Sequence, residues 1–252
     1  MKVLNDTAAT FEREIRPVLR EPVALTFAML QPILFLVLFG PLLDTMPGVP
    51  GNSPWEWFVP GVVVMLALFG TSPSGANLLS EIHTGSYERT LVSPAHRGAL
   101  LLGRTAKEGA ILATQALVVL VGALLFVDVD FHPLGVVAGL LLLIFFGLGL
   151  GALSNLLALA VKGRDFVFIV VQQTLLFPLL LLSGMLLPME LGPRWLEVLS
   201  RFNPVTYIVD AERALFMGEF SDIAVLWGLL SATGITVAGL VLGVRAMQRA
   251  KI

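Results

Sequence analysis

The sequence predicts an all-α integral membrane protein with six transmembrane helices, and three observations carry that prediction. Only 13% of the 252 residues are charged and 56% are hydrophobic, with a mean hydropathy of +0.88. Soluble domains carry roughly 25% charged residues, so this chain cannot cover a water-facing surface. Apolar runs long enough for a spanning helix, which needs about 20 residues, recur along the whole chain, and no separate soluble domain fits between them. The basic residues are also placed asymmetrically. All but three of the sixteen lie in the N-terminal segment (Lys2, Arg13, Arg16, Arg20), after the second run (Arg89, Arg97, Arg104, Lys107), after the fourth (Lys162, Arg164) and in the tail (Arg245, Arg249, Lys251). The exceptions, Arg194, Arg201 and Arg213, share one segment on the other side. Retention of Lys and Arg in the cytoplasm then places both termini there.

Residues 1–22 are expected to form an interfacial helix. Leu4, Ala8, Phe11, Ile15, Val18 and Leu19 recur near helical spacing over 3–20, with Asp6, Glu12, Arg13 and Arg16 between them. Span one is expected over about 23–43, with Pro32 inside it. Residues 44–57 form a Pro- and Gly-rich outer loop that ends in Trp55 and Trp57, rings suited to the headgroup layer. Span two covers about 58–80, and Pro73 with Gly75 predicts a kink late in it. Residues 81–104 read as a basic inner loop. Spans three (about 105–127) and four (about 133–161) are joined by so few residues that they must be antiparallel neighbours. Gly147, Gly149 and Gly151 in span four allow close helix approach. Span five is expected over about 166–187, an outer helical segment over 188–220 and span six over about 221–244. The whole of 1–252 reads as one transmembrane domain.

Several functions are excluded by what the sequence lacks. There are no cysteines, hence no disulfide, thiolate metal site or cysteine nucleophile. Asp6, Glu12 and Glu14 precede the first apolar run, so a cleavable signal peptide is not expected. A Gly-x-x-x-x-Gly-Lys-Ser/Thr phosphate loop, a His-Glu-x-x-His site and a Gly-x-Ser-x-Gly elbow are all absent. His83, His96 and His132 stand apart from one another. The chain is therefore expected to have no catalytic, cofactor or metal site and no nucleic-acid partner. No ionisable residue is expected in the middle of a span, which counts against a proton-coupled carrier but leaves sodium sites of backbone carbonyls open. The polar span residues Gln31, Asn77, Gln115, Asn155, Gln172, Gln173 and Thr174 are expected mostly to hydrogen-bond between helices.

The inner loop reads Gly85-Ser86-Tyr87-Glu88-Arg89-Thr90-Leu91-Val92-Ser93-Pro94-Ala95-His96-Arg97, a short polar helix broken at Ser-Pro. Taken alone it is either a handle for a soluble partner or a solvated loop that sets topology. Three further stretches accompany it: Arg20-Glu21-Pro22, then Ser183-Gly184-Met185-Leu186-Leu187-Pro188 with Pro193-Arg194-Trp195-Leu196, then Asn203-Pro204-Val205-Thr206-Tyr207-Ile208-Val209-Asp210-Ala211-Glu212-Arg213. In register with six spans, these motifs resemble the permease subunits of ABC-2 type transporters, in particular the bacterial drug and antibiotic exporters typified by the daunorubicin-resistance permeases. The likeness covers nearly the whole chain.

The resemblance implies a permease in the bacterial inner membrane that exports hydrophobic drugs or antibiotics. It implies a second permease, identical or paralogous, contact with membrane lipids, and two ABC ATPase subunits that bind the ATP and Mg. Phe11, Arg13, Arg16 and Arg20 would belong to the interfacial connecting helix. Glu88, Arg89, Leu91, Ser93, Pro94 and Arg97 would form the ATPase-coupling helix. Asn203, Pro204, Glu212 and Arg213 would belong to a re-entrant outer hairpin, with Asn203-Pro204 at its turn. Independently of the resemblance, Glu212 and Arg213 are expected to pair with other outer charges. Phe35, Phe39, Phe145, Phe146, Phe166, Phe168, Phe177 and Gln172 are candidates for the substrate path. A lipid or lipid-linked polysaccharide is the alternative cargo. An ion-coupled carrier or channel is the alternative from another class.

Overall fold

A chain with this composition must satisfy its backbone internally, because hydrocarbon offers no hydrogen bonds, and it does so with helices. The computed structural model describes residues 2–20, 22–44, 53–87, 97–127 and 129–249. The α-helices are α1 (Lys2–Arg20), α2 (Pro22–Asp44), α3 (Pro54–Gly70), α4 (Pro73–His83), α5 (Arg97–Phe126), α6 (Pro133–Ala160), α7 (Asp165–Leu181), α8 (Arg194–Arg201), α9 (Pro204–Phe216) and α10 (Ile223–Arg249). A single 3-10 turn, Met189–Leu191, precedes α8. Among the described residues, Pro54–His83, Gly98–Phe126, Pro133–Ala160 and Ile223–Gln248 are long and apolar enough to cross a membrane. Met29–Leu42 and Asp165–Leu181 are shorter apolar helices.

α3 is the centre of the molecule. Every residue from Trp57 to Leu68 is buried, against α2, α5, α6 and α9. α6 then packs between α5 and α10, and α9 lies against α3, α6 and α10. Large apolar side chains on the outer surface, such as Leu38, Leu125, Phe166 and Leu230, face outward as they do where lipid replaces water.

The kink expected at Pro73 is an interruption of the helical bonding pattern. α3 ends at Gly70, Thr71 and Ser72 keep right-handed helical dihedrals as a turn, and Pro73 starts α4, where its missing N–H costs nothing. The freed Ser72 carbonyl is not left bare. It accepts the Ser154 hydroxyl at 3.0 Å and the Gln172 amide at 3.3 Å.

Two expected boundaries are corrected. Residues 97–104, read as part of the inner loop, are the first turns of α5. Span five, expected to reach 187, ends at Leu181. There the Ser183 hydroxyl donates to the Leu180 carbonyl and accepts the Met185 N–H, and Gly184 turns the chain at φ +72°. These groups close the helix more strongly than the apolar run beyond it can extend it.

Gly149 of α6 stands where close backbone packing demands it, whereas a Cβ on Gly151 would meet only ordinary van der Waals contacts. A Cβ on Gly149 would sit 2.6 Å from the Cα of Thr236 on α10, and one on Gly239 would sit 2.5 Å from the Gly149 carbonyl. At this crossing the Thr236 hydroxyl donates to the Phe145 carbonyl at 2.9 Å. Gly149→Ala must push two backbones apart and is expected to cost about 1–3 kcal/mol. Gly122→Ala, where a Cβ meets nothing within 4 Å, is the control and should not destabilise. Thermal unfolding in detergent reads the difference, and equal midpoints for the two variants would contradict the close-packing role.

Candidate functional site

Side chains with chemistry gather at two ends of the bundle. At one end α1 lies along the start of α5, so closely that a Cβ on Gly103 would meet the Thr10 side chain at 2.6 Å. Charges lock the two together. Glu14 of α1 lies 3.1 Å from Arg13, 3.4 Å from Arg104 and 3.6 Å from Lys107. Arg104 also reaches Glu81 of α4 at 2.5 Å, and Lys107 lies 3.1 Å from Glu108. Arg104, Lys107 and Glu108 are all buried. A buried charge is tolerated only when paired, and in this cluster each carboxylate has a cation. Burial alone would raise the Glu14 carboxyl, but Arg104, Lys107 and Arg13 outweigh it and hold it below its ordinary value.

Lys107 and Glu108 lie nearer the start of α5 than its middle, so they do not contradict the expectation that no ionisable residue occupies the middle of a span. Their burial depends on a partner outside α5, Glu14 of the amphipathic N-terminal helix.

A neutral polar seam continues from there. Asn155 donates to the Ser74 hydroxyl at 2.9 Å and the Gly151 carbonyl at 2.8 Å, and the Gly75 N–H donates to the Ser154 hydroxyl at 3.1 Å. Asn155 and Gln172 thus bond between helices. Gln172, a candidate for the substrate path, directs its amide to the α3–α4 break. Gln31, Asn77 and Gln115 behave differently. They come from α2, α4 and α5 and converge on one cavity of about 760 Å³ bounded by α1, α2, α3–α4 and α5.

At the opposite end, α8 and α9 form a helical hairpin. Asn203 makes its corner, accepting the Val205 N–H at 3.0 Å and donating to the Leu179 carbonyl at 2.8 Å, with Pro204 in the first turn of α9. Arg213 ties the hairpin to the bundle. Its guanidinium donates to the carbonyls of Trp57 (3.1 Å) and Gly184 (2.9 Å), pairs with Asp210 (3.3 Å), and lies 3.9 Å from the centre of the Trp57 ring. Glu212 corrects the expectation that it pairs with an outer charge. It is fully buried, packs against Gly139 of α6, and neither carboxylate oxygen has a hydrogen-bond partner. A cavity of about 430 Å³ beside the hairpin is lined by Glu56, Asp210, Arg213, Glu219 and Asp222 among others.

The remaining predicted residues are dispersed. Arg16 pairs with Glu12, Phe11 is half-buried, and Arg20 is exposed at the end of α1. Glu88, Arg89, Leu91, Ser93 and Pro94 lie outside the described residues, and Arg97 is the first residue of α5. Phe35 stacks on Phe39 at 5.2 Å, and Phe39 on Phe58 at 6.3 Å. Phe177 meets Phe69 edge-on at 6.4 Å. Phe146 and Phe168 are buried, whereas Phe145 and Phe166 are exposed. Apart from the Phe35–Phe39 stack, the phenylalanines predicted for the substrate path are not brought together, and none of the predicted ones lines either cavity.

An apolar helical bundle, with an amphipathic helix ion-paired across one end and a helical hairpin clamped at the other, is the architecture of a membrane protein. The chain belongs to the ABC-2 type transporter family, whose model matches residues 6–217. It is 30% identical over 211 residues to the daunorubicin resistance ABC transporter permease protein DrrB1 of Streptomyces coeruleorubidus, covering 81% of this chain and 73% of that one. It is 29% identical over 201 residues to ycf38 of Cyanophora paradoxa, named as a transport permease, covering 78% and 69%. YbhR of Escherichia coli strain K12, named as a multidrug ABC transporter permease, is 28% identical over 195 residues, covering 73% of this chain and 51% of YbhR. Permeases of this family generally work with ABC ATPase subunits and carry no ATPase site of their own.

Proposed function

We propose that the protein is the permease subunit of an ATP-driven exporter that moves hydrophobic drugs or antibiotics out of a bacterial cell across its inner membrane. The observation that carries this reading is the family match over 6–217 in a chain without a phosphate loop, which calls for a separate ATPase to bind ATP and Mg. In this reading the protein spans the bilayer six times, α2 and α7 included, and the α1 end is cytoplasmic because the basic residues gather there. Two permeases, identical or paralogous, pair through apolar outer surface, and each meets one of two ATPase subunits at residues 88–97.

The mechanism follows from what is tied to what. ATP draws the ATPase subunits together, and residues 88–97 move with them. Segment 88–97 runs directly into α5, and α5 is ion-paired to α1 through Arg104 and Glu14, so the two helices shift as a unit. The α3–α4 break lets the cytoplasmic half of that span tilt while buried α3 stays fixed. The movement opens a path between the two permeases, and the hairpin of α8 and α9 closes it on the outer side.

Purification of the tagged protein from its native host, with mass spectrometry of what accompanies it, tests this. A phosphate-loop ATPase should co-purify, and Glu88→Arg should reduce its recovery at least about tenfold, the effect of about 1.4 kcal/mol at an interface. A stable permease preparation with no ATPase in it would sink the proposal.

A further inference from the structure

Glu212 is the buried group that the proposed transport cycle leaves unused. It is 0% exposed, and neither of its carboxylate oxygens has a hydrogen-bond partner. The seam around it is shaped to hold it. α9 lies against a strip of bare backbone on α6. The His132 N–H donates to the Phe216 carbonyl at 2.8 Å, and a Cβ on Gly135 would overlap the Leu215 carbonyl. A Cβ on Gly139 would overlap Oε2 of Glu212 and sit 2.6 Å from the Phe216 ring. The carboxyl thus takes the volume that a side chain at 139 would fill, and the hairpin cannot seat on α6 without enclosing it.

No neighbouring charge compensates it. α6 has no ionisable residue from Pro133 to Ala160, and His132 stands two turns outward of Gly139. α10 has none before Arg245. On α3 there is only Glu56, near its start, whose carboxylate accepts the Asp130 N–H at 3.2 Å. On α8, Arg201 pairs with Glu197 at the surface and Arg194 is exposed. On α9 itself, Tyr207 donates its hydroxyl to the Arg201 carbonyl, and Arg213 pairs with Asp210 and turns to Trp57 and Gly184. Glu219 and Asp222, beyond α9, are exposed. Burial, with nothing to offset it, pushes the Glu212 carboxyl well above its ordinary value of 4.5. The neutral acid is far less costly to bury than the carboxylate.

We propose that Glu212 is a proton-binding site that latches the outer hairpin: the carboxyl carries a proton while α9 is seated on α6, and gives it to water on the outer side when the hairpin lifts away. Seating and protonation are then one equilibrium. The seated form binds the proton more tightly than the lifted, hydrated form, so lifting becomes easier as pH rises between the two values. Acid on the outer side holds the hairpin closed, and alkali favours release. The inference rests on the exporter reading for the hairpin's role as an outer gate, and on the seam alone for the proton.

The full chain in lipid nanodiscs tests this. The infrared C=O stretch of protonated carboxyls at neutral pH should lose one component in Glu212→Gln, and in the wild type that component should fade as pH is raised. The chain has no cysteine, so nitroxides can be placed at Leu134→Cys on α6 and Phe202→Cys beside the hairpin corner, both exposed. Their separation should be narrowly distributed at neutral pH and broaden over the same alkaline range in which the infrared component fades. Glu212→Gln fills the seam and cannot ionise, so its distances should match those of the neutral wild type throughout. His132→Gln should leave the wild-type midpoint in place, which sets the nearest imidazole aside. The proposal is overturned if Glu212→Gln removes no infrared component at neutral pH, because the carboxyl is then ionised inside the seam. It is equally overturned if the wild-type distances stay fixed across the range, or if Glu212→Gln broadens as the wild type does. Should Glu212→Gln fail to fold, the wild type alone decides, since fading and broadening must share one midpoint and separate midpoints sink the latch. ATP-driven uptake of rhodamine 6G by inside-out vesicles, whose lumen is the outer side, separates the two readings. Uptake should depend on lumenal pH in the wild type and lose that dependence in Glu212→Gln. Titration and broadening without any uptake leave the proton site standing and remove the exporter, whereas uptake with the same pH dependence in both removes the latch alone.

Discussion

Arg213→Met should lower the stability of the protein by about 3 kcal/mol or more, and Arg213→Lys should recover less than half of the loss. The guanidinium is only partly exposed, with a relative side-chain accessibility of 18%, and it makes two charge-assisted hydrogen bonds to main-chain carbonyls, each worth about 1.5–3 kcal/mol. Asp210 and the face of Trp57 add to this, the ring contact by about 0.5–2 kcal/mol. The two carbonyls belong to different elements, Trp57 to α3 and Gly184 to the turn after α7, and no point charge reaches both along the directions a planar fork provides. In Arg213→Met they lose that donor, and the hairpin of α8 and α9 loses its tie to the bundle. For a chain of this size the loss is a fall of about 6–12 °C in unfolding midpoint. Hydrogen exchange should rise first in 183–187 and 204–216. An unchanged midpoint with unchanged exchange in those segments would show that the clamp carries no stability.

The same residue illustrates what the sequence does and does not reveal. The helix run through 204–216 is local information: Asn203 and Pro204 mark its start, and apolar spacing marks its buried side. The break at Pro73 and the close approach at Gly149 were legible for the same reason, since a missing N–H and a missing Cβ act where they stand. The family was legible because several such local features occur in a fixed order. What escaped depends on partners far along the chain. Arg104 meets Glu14 across 90 positions, so its burial, and that of Lys107 and Glu108, could not be read from α5 alone. The end of α7 at Leu181 is fixed by a turn that Arg213 holds from 29 positions away. Glu212 was read as one more outer charge because the helix face that buries it against Gly139 is decided by α6. The cavity that collects Gln31, Asn77 and Gln115 is likewise a property of three helices and of none singly.

Arg104→Met should detach α1 from the bundle, at a cost of about 3–5 kcal/mol, the usual consequence of removing one partner from a buried ion pair. Arg104 bridges Glu14 and Glu81, and both carboxylates lose it at once. Exposed pairs on the same helix, such as Arg16 with Glu12, are not equivalent, because solvent screens them to near zero. The release is read from a nitroxide on Leu19→Cys, a position 69% exposed on α1, whose mobility should increase sharply in Arg104→Met. pH provides an independent route to the same event. The folded protein holds Glu14 below its ordinary value of 4.5, so its ionised form is the one that docking favours. The stabilisation it supplies is therefore complete above about pH 4.5 and fades as pH falls through the lower, folded-state value. Wild-type α1 should loosen in that acidic window and stay docked at neutral pH. Glu14→Gln removes the titration, so its spin-label spectrum should be flat across the window, at a somewhat higher mobility than the wild type shows at neutral pH. If the wild type and Glu14→Gln follow the same acid profile, another group controls the docking of α1, and the ion cluster is packing rather than a coupling device. If they differ and ATPase-driven transport falls in Arg104→Met while the ATPase still binds, the force from residues 88–97 must pass through Arg104 to reach α1.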